Sequence, residues 1–174
     1  IGVVWTAYGV SSDVQVSPDG NEVLAASSFN DVVYVLDANT MGILSVIPTG
    51  DFPLQLAFDA TGDYAIVTNY FGDTVTHMSI DGAGSTLLGT IPSGDGPLRC
   101  AFNPALNEFG VGNYTSKTVT MIPAATPSIS STESFTAYGS LLDVGFTDDG
   151  QLLAVTGYDG VSLGHLHHSD GANP

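Results

Sequence analysis

Residues 64–81 read YAIVTNYFGDTVTHMSID. Two short stretches of strand-type residues, rich in β-branched and aromatic side chains, flank a Tyr-Phe-Gly-Asp turn. The same plan recurs three more times. Counterparts of the first stretch are EVLAAS (22–27), EFGVGN (108–113) and QLLAVTG (151–157), and each ends in a small or polar residue followed by an aromatic: Ser28-Phe29, Asn69-Tyr70, Asn113-Tyr114, Gly157-Tyr158. Counterparts of the second are DVVYVLD (31–37), KTVTMI (117–122) and VSLGHL (161–166).

Outward from each pair the periodicity persists. Gly9, Gly50, Gly94 and Gly139 punctuate the chain at intervals of 41, 44 and 45 residues. A short apolar strand follows each glycine: SSDVQVS (11–17), PLQLAF (53–58), PLRCAF (97–102) and LLDVGF (141–146). Turn chemistry comes next in every copy, as Pro18-Asp19-Gly20, Ala60-Thr61-Gly62, Pro104-Ala105-Leu106-Asn107 and Asp148-Asp149-Gly150. Fourth strands read ILSVIPTG (43–50), TLLGTIPSG (86–94) and ESFTAYG (133–139). Four short strands per unit of about 43 residues, in the same order four times and without a helical pattern, predict an all-β β-propeller of four blades, each of four antiparallel strands.

The count also accounts for the way the chain opens. Trp5-Thr6-Ala7-Tyr8-Gly9 matches Phe135-Thr136-Ala137-Tyr138-Gly139 position for position, so residues 1–8 are a fourth strand without a blade, while the last unit lacks one. Pairing the N-terminal strand, with Val4, Trp5 and Tyr8, to the last blade closes the ring and removes an aggregation-prone edge. The expected domain is 1–168, with blades at 9–50, 50–94, 94–139 and 139–168 plus 1–8, followed by a polar tail, 169–174. Two other arrangements fit the same count: the first strand inserts into a neighbouring molecule, or the chain is a piece of a propeller of six to eight blades.

Residues 64–81 are similar to the YVTN repeat of bacterial and archaeal cell-surface β-propellers, whose blades read approximately YVTN, aromatic, small, polar, T-V, apolar, apolar, D. The match is strongest at Val67-Thr68-Asn69-Tyr70 with Asp73-Thr74-Val75, is echoed by Gly112-Asn113-Tyr114 with Lys117-Thr118-Val119, and weakens at Val155-Thr156-Gly157-Tyr158 and Ala26-Ser27-Ser28-Phe29. The resemblance covers nearly the whole chain and implies the propeller fold and a cell-surface location. Propellers resembling this type also include sugar lactonases, in which acidic and His residues over the channel, often with a divalent metal, open a lactone.

Composition narrows the partners. Eighteen acidic side chains face two basic ones, Arg99 and Lys117, for a net charge of −16, although charged residues make up only 11% of the chain. Such a surface repels phosphate backbones and anionic bilayers, which argues against nucleic acid and lipid partners and leaves cations, neutral glycans and other proteins. No segment reaches the roughly 20 apolar residues of a membrane span, and the start carries no basic n-region, so any secretion signal is expected to have been removed. The lone Cys100, beside Leu98, Ala101 and Phe102, is expected to be a buried, inert thiol.

Four sets of residues invite a functional reading. Asp13, Gln55, Arg99 and Asp143 share one register of the innermost strands and are expected to ring the channel, either as a small ion or water site or with Arg99 bridging the two aspartates. Phe29, Tyr70, Tyr114 and Tyr158 are expected to form an aromatic ring on the face carrying the loops Gly50-Asp51-Phe52-Pro53 and Gly94-Asp95-Gly96-Pro97, either to stack on sugars or to wedge blades apart. Asn113-Tyr114-Thr115 is a glycosylation sequon, expected in an exposed turn, and residues 126–134 are a Ser/Thr-rich loop suited to O-linked sugar. His165 and His167 share a strand face and stand near His168 and Asp170, but a third metal ligand is not assured and a solvated tail is the plainer reading; His77 stands alone. No metal or other cofactor and no catalytic residue is assigned.

These features predict a non-enzymatic, extracellular or cell-surface propeller with a structural or interaction role, such as a self-assembling coat, matrix or filament subunit that associates with itself or with another surface protein. A lactonase-like hydrolase, or a glycan-binding fragment of a larger propeller, is the alternative.

Overall fold

The computed structural model describes residues 11–134, 140–156 and 160–162. Among them the chain is all β, with four antiparallel sheets and a single 3-10 turn at Gly82–Gly84. No helix of the described residues is long and apolar enough to cross a membrane. The first sheet is β1 (Ser11–Val16), β2 (Glu22–Ser27), β3 (Val32–Asp37) and β4 (Ile43–Pro48). The second is β5 (Pro53–Phe58), β6 (Tyr64–Asn69), β7 (Thr74–Ser79) and β8 (Thr86–Pro92). The third is β9 (Pro97–Asn103), β10 (Glu108–Asn113), β11 (Thr118–Pro123) and β12 (Ser131–Ser134). The fourth is β13 (Leu141–Phe146), β14 (Leu152–Thr156) and β15 (Gly160–Ser162). Every sheet is a simple meander, each strand pairing with the next in sequence.

One polar residue at the end of each first strand makes the tight turn that follows. Asp59 Oδ1 accepts the amides of Gly62 and Tyr64, at 2.8 and 3.1 Å, and Asn103 Oδ1 those of Ala105 and Leu106, at 3.1 and 3.3 Å. Ser17 Oγ takes the Glu22 amide at 3.0 Å, and Thr147 Oγ1 the Gln151 amide at 2.9 Å. Satisfying these amides locally lets the chain reverse without exposing unpaired backbone.

Blades pack face on face, and each interface is apolar. Leu24, Ala26, Val33, Val35 and Ile47 of the first blade bury against Leu56, Ala65, Val67, Met78 and Ile80 of the second. Ile66, Val75 and Ile91 of the second bury against Cys100, Phe109, Val111, Ile122 and Ala124 of the third. Val119 and Met121 of the third meet Leu141, Val144 and Phe146 of the fourth. Two strand glycines make the last interface close: a Cβ on Gly110 would collide with Phe146 Cζ, and one on Gly112 with Leu141 Cδ2. Each fully buried aliphatic side chain contributes about 1.5–3 kcal/mol, so these interfaces rather than the individual sheets hold the molecule together.

The innermost strands follow one another as β1, β5, β9 and β13, and β1 and β13 do not pack on each other as their neighbours do. The described residues therefore form an arc of blades, not a closed ring. Its consequence is visible on the first blade. Cross-strand register puts Val14, Ala25, Tyr34 and Val46 in one row and Val16, Val23, Leu36 and Ile43 in the next. The equivalent rows of the second blade, which begin at Leu56 and Phe58, are covered by the first blade over their first three strands. On the first blade Val14 and Val16 of the innermost strand are 52 and 57% exposed, whereas Leu56 is 2%. Val23, Ala25 and Leu36 in the middle of these rows are buried, and Ile43 and Val46 on the outermost strand are exposed, as Leu87 is in the second blade. The expected closure of the last blade by Val4, Trp5 and Tyr8 lies outside the described residues, as do Tyr158, His165, His167, His168 and Asp170.

Candidate functional site

The innermost strands place Asp13, Gln55, Arg99 and Asp143 around Cys100. Asp13 Oδ2 accepts the Leu56 amide of the next blade at 2.9 Å, and Gln55 Oε1 accepts the Cys100 amide of the blade after that at 2.8 Å. The position is thus used as a staple from one blade to the backbone of the next. Asp13 Oδ1 also takes the Val14 amide, and Asp143 Oδ1 the Val144 amide, each at 2.9 Å. The two carboxylates therefore turn to backbone amides, and Arg99, which cannot accept a hydrogen bond, lies exposed in the third blade. Burial pushes the Cys100 thiol far up, and the negative charges of Asp13 and Asp143 add to this while Arg99 opposes it. A protonated thiol donating to the Gln55 carbonyl at 3.4 Å is the result.

The opposite feature is the face formed by the turns between second and third strands. Its backbone is shared between neighbouring blades: the Tyr70 amide donates to Phe52 O at 3.0 Å and the Tyr114 amide to Gly96 O at 2.8 Å. The Phe52 amide in turn donates to Asp31 Oδ1 at 3.0 Å, and the Gly96 amide to Asp73 Oδ1 at 2.8 Å. Both of these loops are thereby tied to the turn before and the turn after.

Strand register corrects the aromatic ring. Ser27 pairs with Val32 as Asn69 pairs with Thr74 and Asn113 with Thr118. Counting from these pairs, Phe29 is the counterpart of Phe71, not of Tyr70. Phe29 and Phe71 are 71% and 62% exposed, while Tyr70 and Tyr114 are half-buried one position earlier. Phe71 and its neighbour Phe52 are the aromatics that sequence alignment passed over. Their rings stand 4.7 Å apart at 47°, and Phe71 meets Tyr70 at 5.2 Å and 64°. The Asp-Phe-Pro of 51–53, beside the Asp-Gly-Pro of 95–97, was the signal available.

Asn113 lies at the end of β10 and is fully buried, not in an exposed turn. Its amide nitrogen donates to Thr118 Oγ1 at 2.9 Å and Thr120 Oγ1 at 3.0 Å, and its oxygen accepts from Ser93 Oγ at 2.8 Å. Asn69 repeats the first two bonds to Thr74 and Thr76, at 3.0 and 2.9 Å. In both blades the spacing Asn-x4-Thr-x-Thr is a buried hydrogen-bond ladder that clips the third strand to the second. The folded chain therefore does not present the Asn113 side chain for glycosylation.

On the other end of the blades a cleft between the first and second is lined by Asp19, Glu22, Asp63 and Asp81 with Asn21 and Thr61. Asp19 is held below the usual carboxylate range by hydrogen bonds from Ser17 and Asn21, and Glu22 Oε1 takes the Gly82 amide. Among the described residues no three His, Cys, Asp or Glu side chains converge to hold a metal ion.

Residues 4–102 match the model of the family described as lactonase, 7-bladed β-propeller. No curated protein matches significantly. The fold is similar to hydrazine synthase of Kuenenia stuttgartiensis, with a TM-score of 0.73 and 20% identity over 89% of this chain and 46% of that one. It is also similar to the dihydro-heme d1 dehydrogenase NirN in complex with DHE, at 0.69 and 20% over 86% and 33%. The β-propeller domain of Myceliophteria thermophila Cps50 (Swd1) gives 0.75 and 11% over 91% and 54%. The chain thus spans a third to about half of the structures it matches, and at these identities the likeness is one of fold. With more than half of its length matched by the family model, the chain belongs to the lactonase, seven-bladed β-propeller family.

Proposed function

We propose that this chain is a structural and interaction module, an arc of propeller blades that joins further blades through the partly exposed face of its first blade, and that it acts outside the cell. The observation that carries this reading is the inner part of the first blade's outer face, where Val14 and Val16 are 52% and 57% exposed while Leu56, Cys100 and Val144, the counterparts of Val14 in the later blades, are buried. A face built like the one Leu24, Ala26, Val33, Val35 and Ile47 present to the second blade would fit it, and a second copy of this chain is the proposed source. The composition, with two basic residues in 174, and the similarity of residues 64–81 to cell-surface YVTN repeats support the extracellular assignment. Light scattering tests it: oligomers or filaments are expected, with a compact particle near the 17.9 kDa of one chain as the contrary result. A variant lacking residues 1–8 separates the two ways of joining, since strand exchange would be lost and face packing kept.

A lactone-opening hydrolase is the second reading, favoured by the family match. Asp13 and Asp143 are the carboxylates it would draw on, and both already hold backbone amides. The described residues do not fit a divalent metal at this position, because no metal-binding group of side chains converges there. Turnover of a sugar lactone, lost in Asp13→Asn and Asp143→Asn and unchanged by calcium or chelator, would establish this reading in place of the first.

A further inference from the structure

The loop joining the first and second blades and the loop joining the second and third share one backbone but not one set of side chains. Phe52 and Gly96 occupy the same place, both left-handed, at φ 59° and 65°. Both donate their amides to an aspartate of the preceding turn and accept one from the tyrosine of the following turn. Opposite them stand Phe71 in one case and Thr115 in the other. A left-handed backbone is free for glycine and costly for a residue with a Cβ. Gly96 shows that the blade joint needs no ring at this position. A Cβ there would meet Thr115 Oγ1 at 2.9 Å, so the two members of each pair change together. The Phe52–Phe71 pair is therefore a local addition to a joint that closes without it, kept at a conformational cost.

What the addition creates is a fixed, outward-facing ring. Phe71 is 62% exposed, yet it is braced by ring contacts to both Phe52 and Tyr70, which restrict its orientation. The three rings meet tilted or edge to face and do not oppose one another across a gap, which suits a flat ligand on an open platform and not the enclosing cage that a quaternary ammonium requires. Asp51, exposed beside Phe52, offers a hydrogen-bond acceptor at the rim. The net charge of −16, with two basic side chains in the chain, disfavours phosphorylated or acidic ligands. We infer that Phe71, braced by Phe52 and Tyr70, is a stacking platform for a pyranose ring of a neutral carbohydrate. The apolar C–H face of a sugar with equatorial hydroxyls lies on the ring, and its hydroxyls donate at the rim. The proposal stands apart from assembly through the first blade, since the platform lies between two blades that are both present.

The test is native affinity electrophoresis in gels containing hydroxyethyl cellulose, glycol chitin or galactomannan, against a plain gel. The informative variant carries Phe52→Gly with Phe71→Thr, which rebuilds the joint in the form the chain already uses at Gly96 and Thr115 and so preserves the fold; an unchanged Tm verifies this. The wild type is expected to be retarded by at least one of the three polymers, with retention unaffected by high salt. The variant is expected to bind at least about tenfold more weakly. A wild type that runs freely in all three gels, a retention that salt abolishes, or a folded variant retarded as strongly as the wild type would each overturn the proposal.

Discussion

At the scale of single residues, the buried polar side chains are the ones with defined jobs. Asn69 and Asn113 each satisfy two threonine hydroxyls inside the fold, and replacing either by alanine leaves those hydroxyls short of a partner. Asn113→Ala is expected to cost about 2–3 kcal/mol in chemical denaturation, because orphaned buried groups carry their full desolvation penalty. The motif was legible, since Asn-x4-Thr-x-Thr is written twice, but burial of Asn113 was not: a sequon looks the same whether its strand end faces water or the next blade. His77 is the converse case, unremarkable in sequence and fully buried between two blades. Its Nε2–H donates to Ala124 O at 2.7 Å, its Nδ1 has no partner, and burial lowers its pKa below the ordinary 6.5. The unfolded chain then binds the proton more readily, so stability is complete above pH 6.5 and falls as pH drops from there towards the lowered folded value. His77→Gln is expected to flatten the Tm against pH in that window without touching the fall below pH about 4 that the hydrogen-bonded Asp19 and Asp37 produce. Cys100, buried with its thiol held protonated, is expected to resist a thiol reagent until the chain is unfolded.

Among the elements, the strands were plain in the sequence and their relative register was not. Turn residues and β-branched runs mark where each strand stops, and predicted strands such as 22–27, 53–58 and 141–146 coincide with β2, β5 and β13. Phe29 shows why register is harder: aligning on the nearest aromatic sets it with Tyr70, whereas backbone pairing sets it with Phe71. The glycines of β10 are a second thing that pattern alone leaves unexplained. They read as weak strand residues, yet Phe146 and Leu141 occupy the space where their side chains would be. Gly112→Val is expected to cost about 1–3 kcal/mol by overpacking the interface between the third and fourth blades, measured as a lowered denaturation midpoint with an unchanged m-value.

For the whole molecule, four repeats were legible because the same punctuation returns at nearly constant intervals, but ring closure is a property of the ends and no interval encodes it. The exposed Val14 and Val16 of the first blade make the matter testable. Val14→Asp with Val16→Asp places two carboxylates where any covering blade would have to desolvate them. That double variant is expected to remain folded, since both positions are about half exposed, and to lose self-association in sedimentation. Because each copy carries −16, association of the wild type is expected to strengthen as added salt screens the repulsion between copies.

Among the described residues the main contacts between blades run from each to the next, from β1 to β5 to β9 to β13. Such a row frays from its ends, as nearest-neighbour arrays do. The second blade, whose β6 contributes Ala65 and Val67 to one interface and Ile66 to the other, is gripped on both sides, while among the described blades the first packs on the second alone. Amide hydrogens should therefore exchange in a graded order, earliest in the outer strands of the first blade and last in β6, and whatever comes to cover the first blade would be recorded there as a sudden slowing of that early exchange.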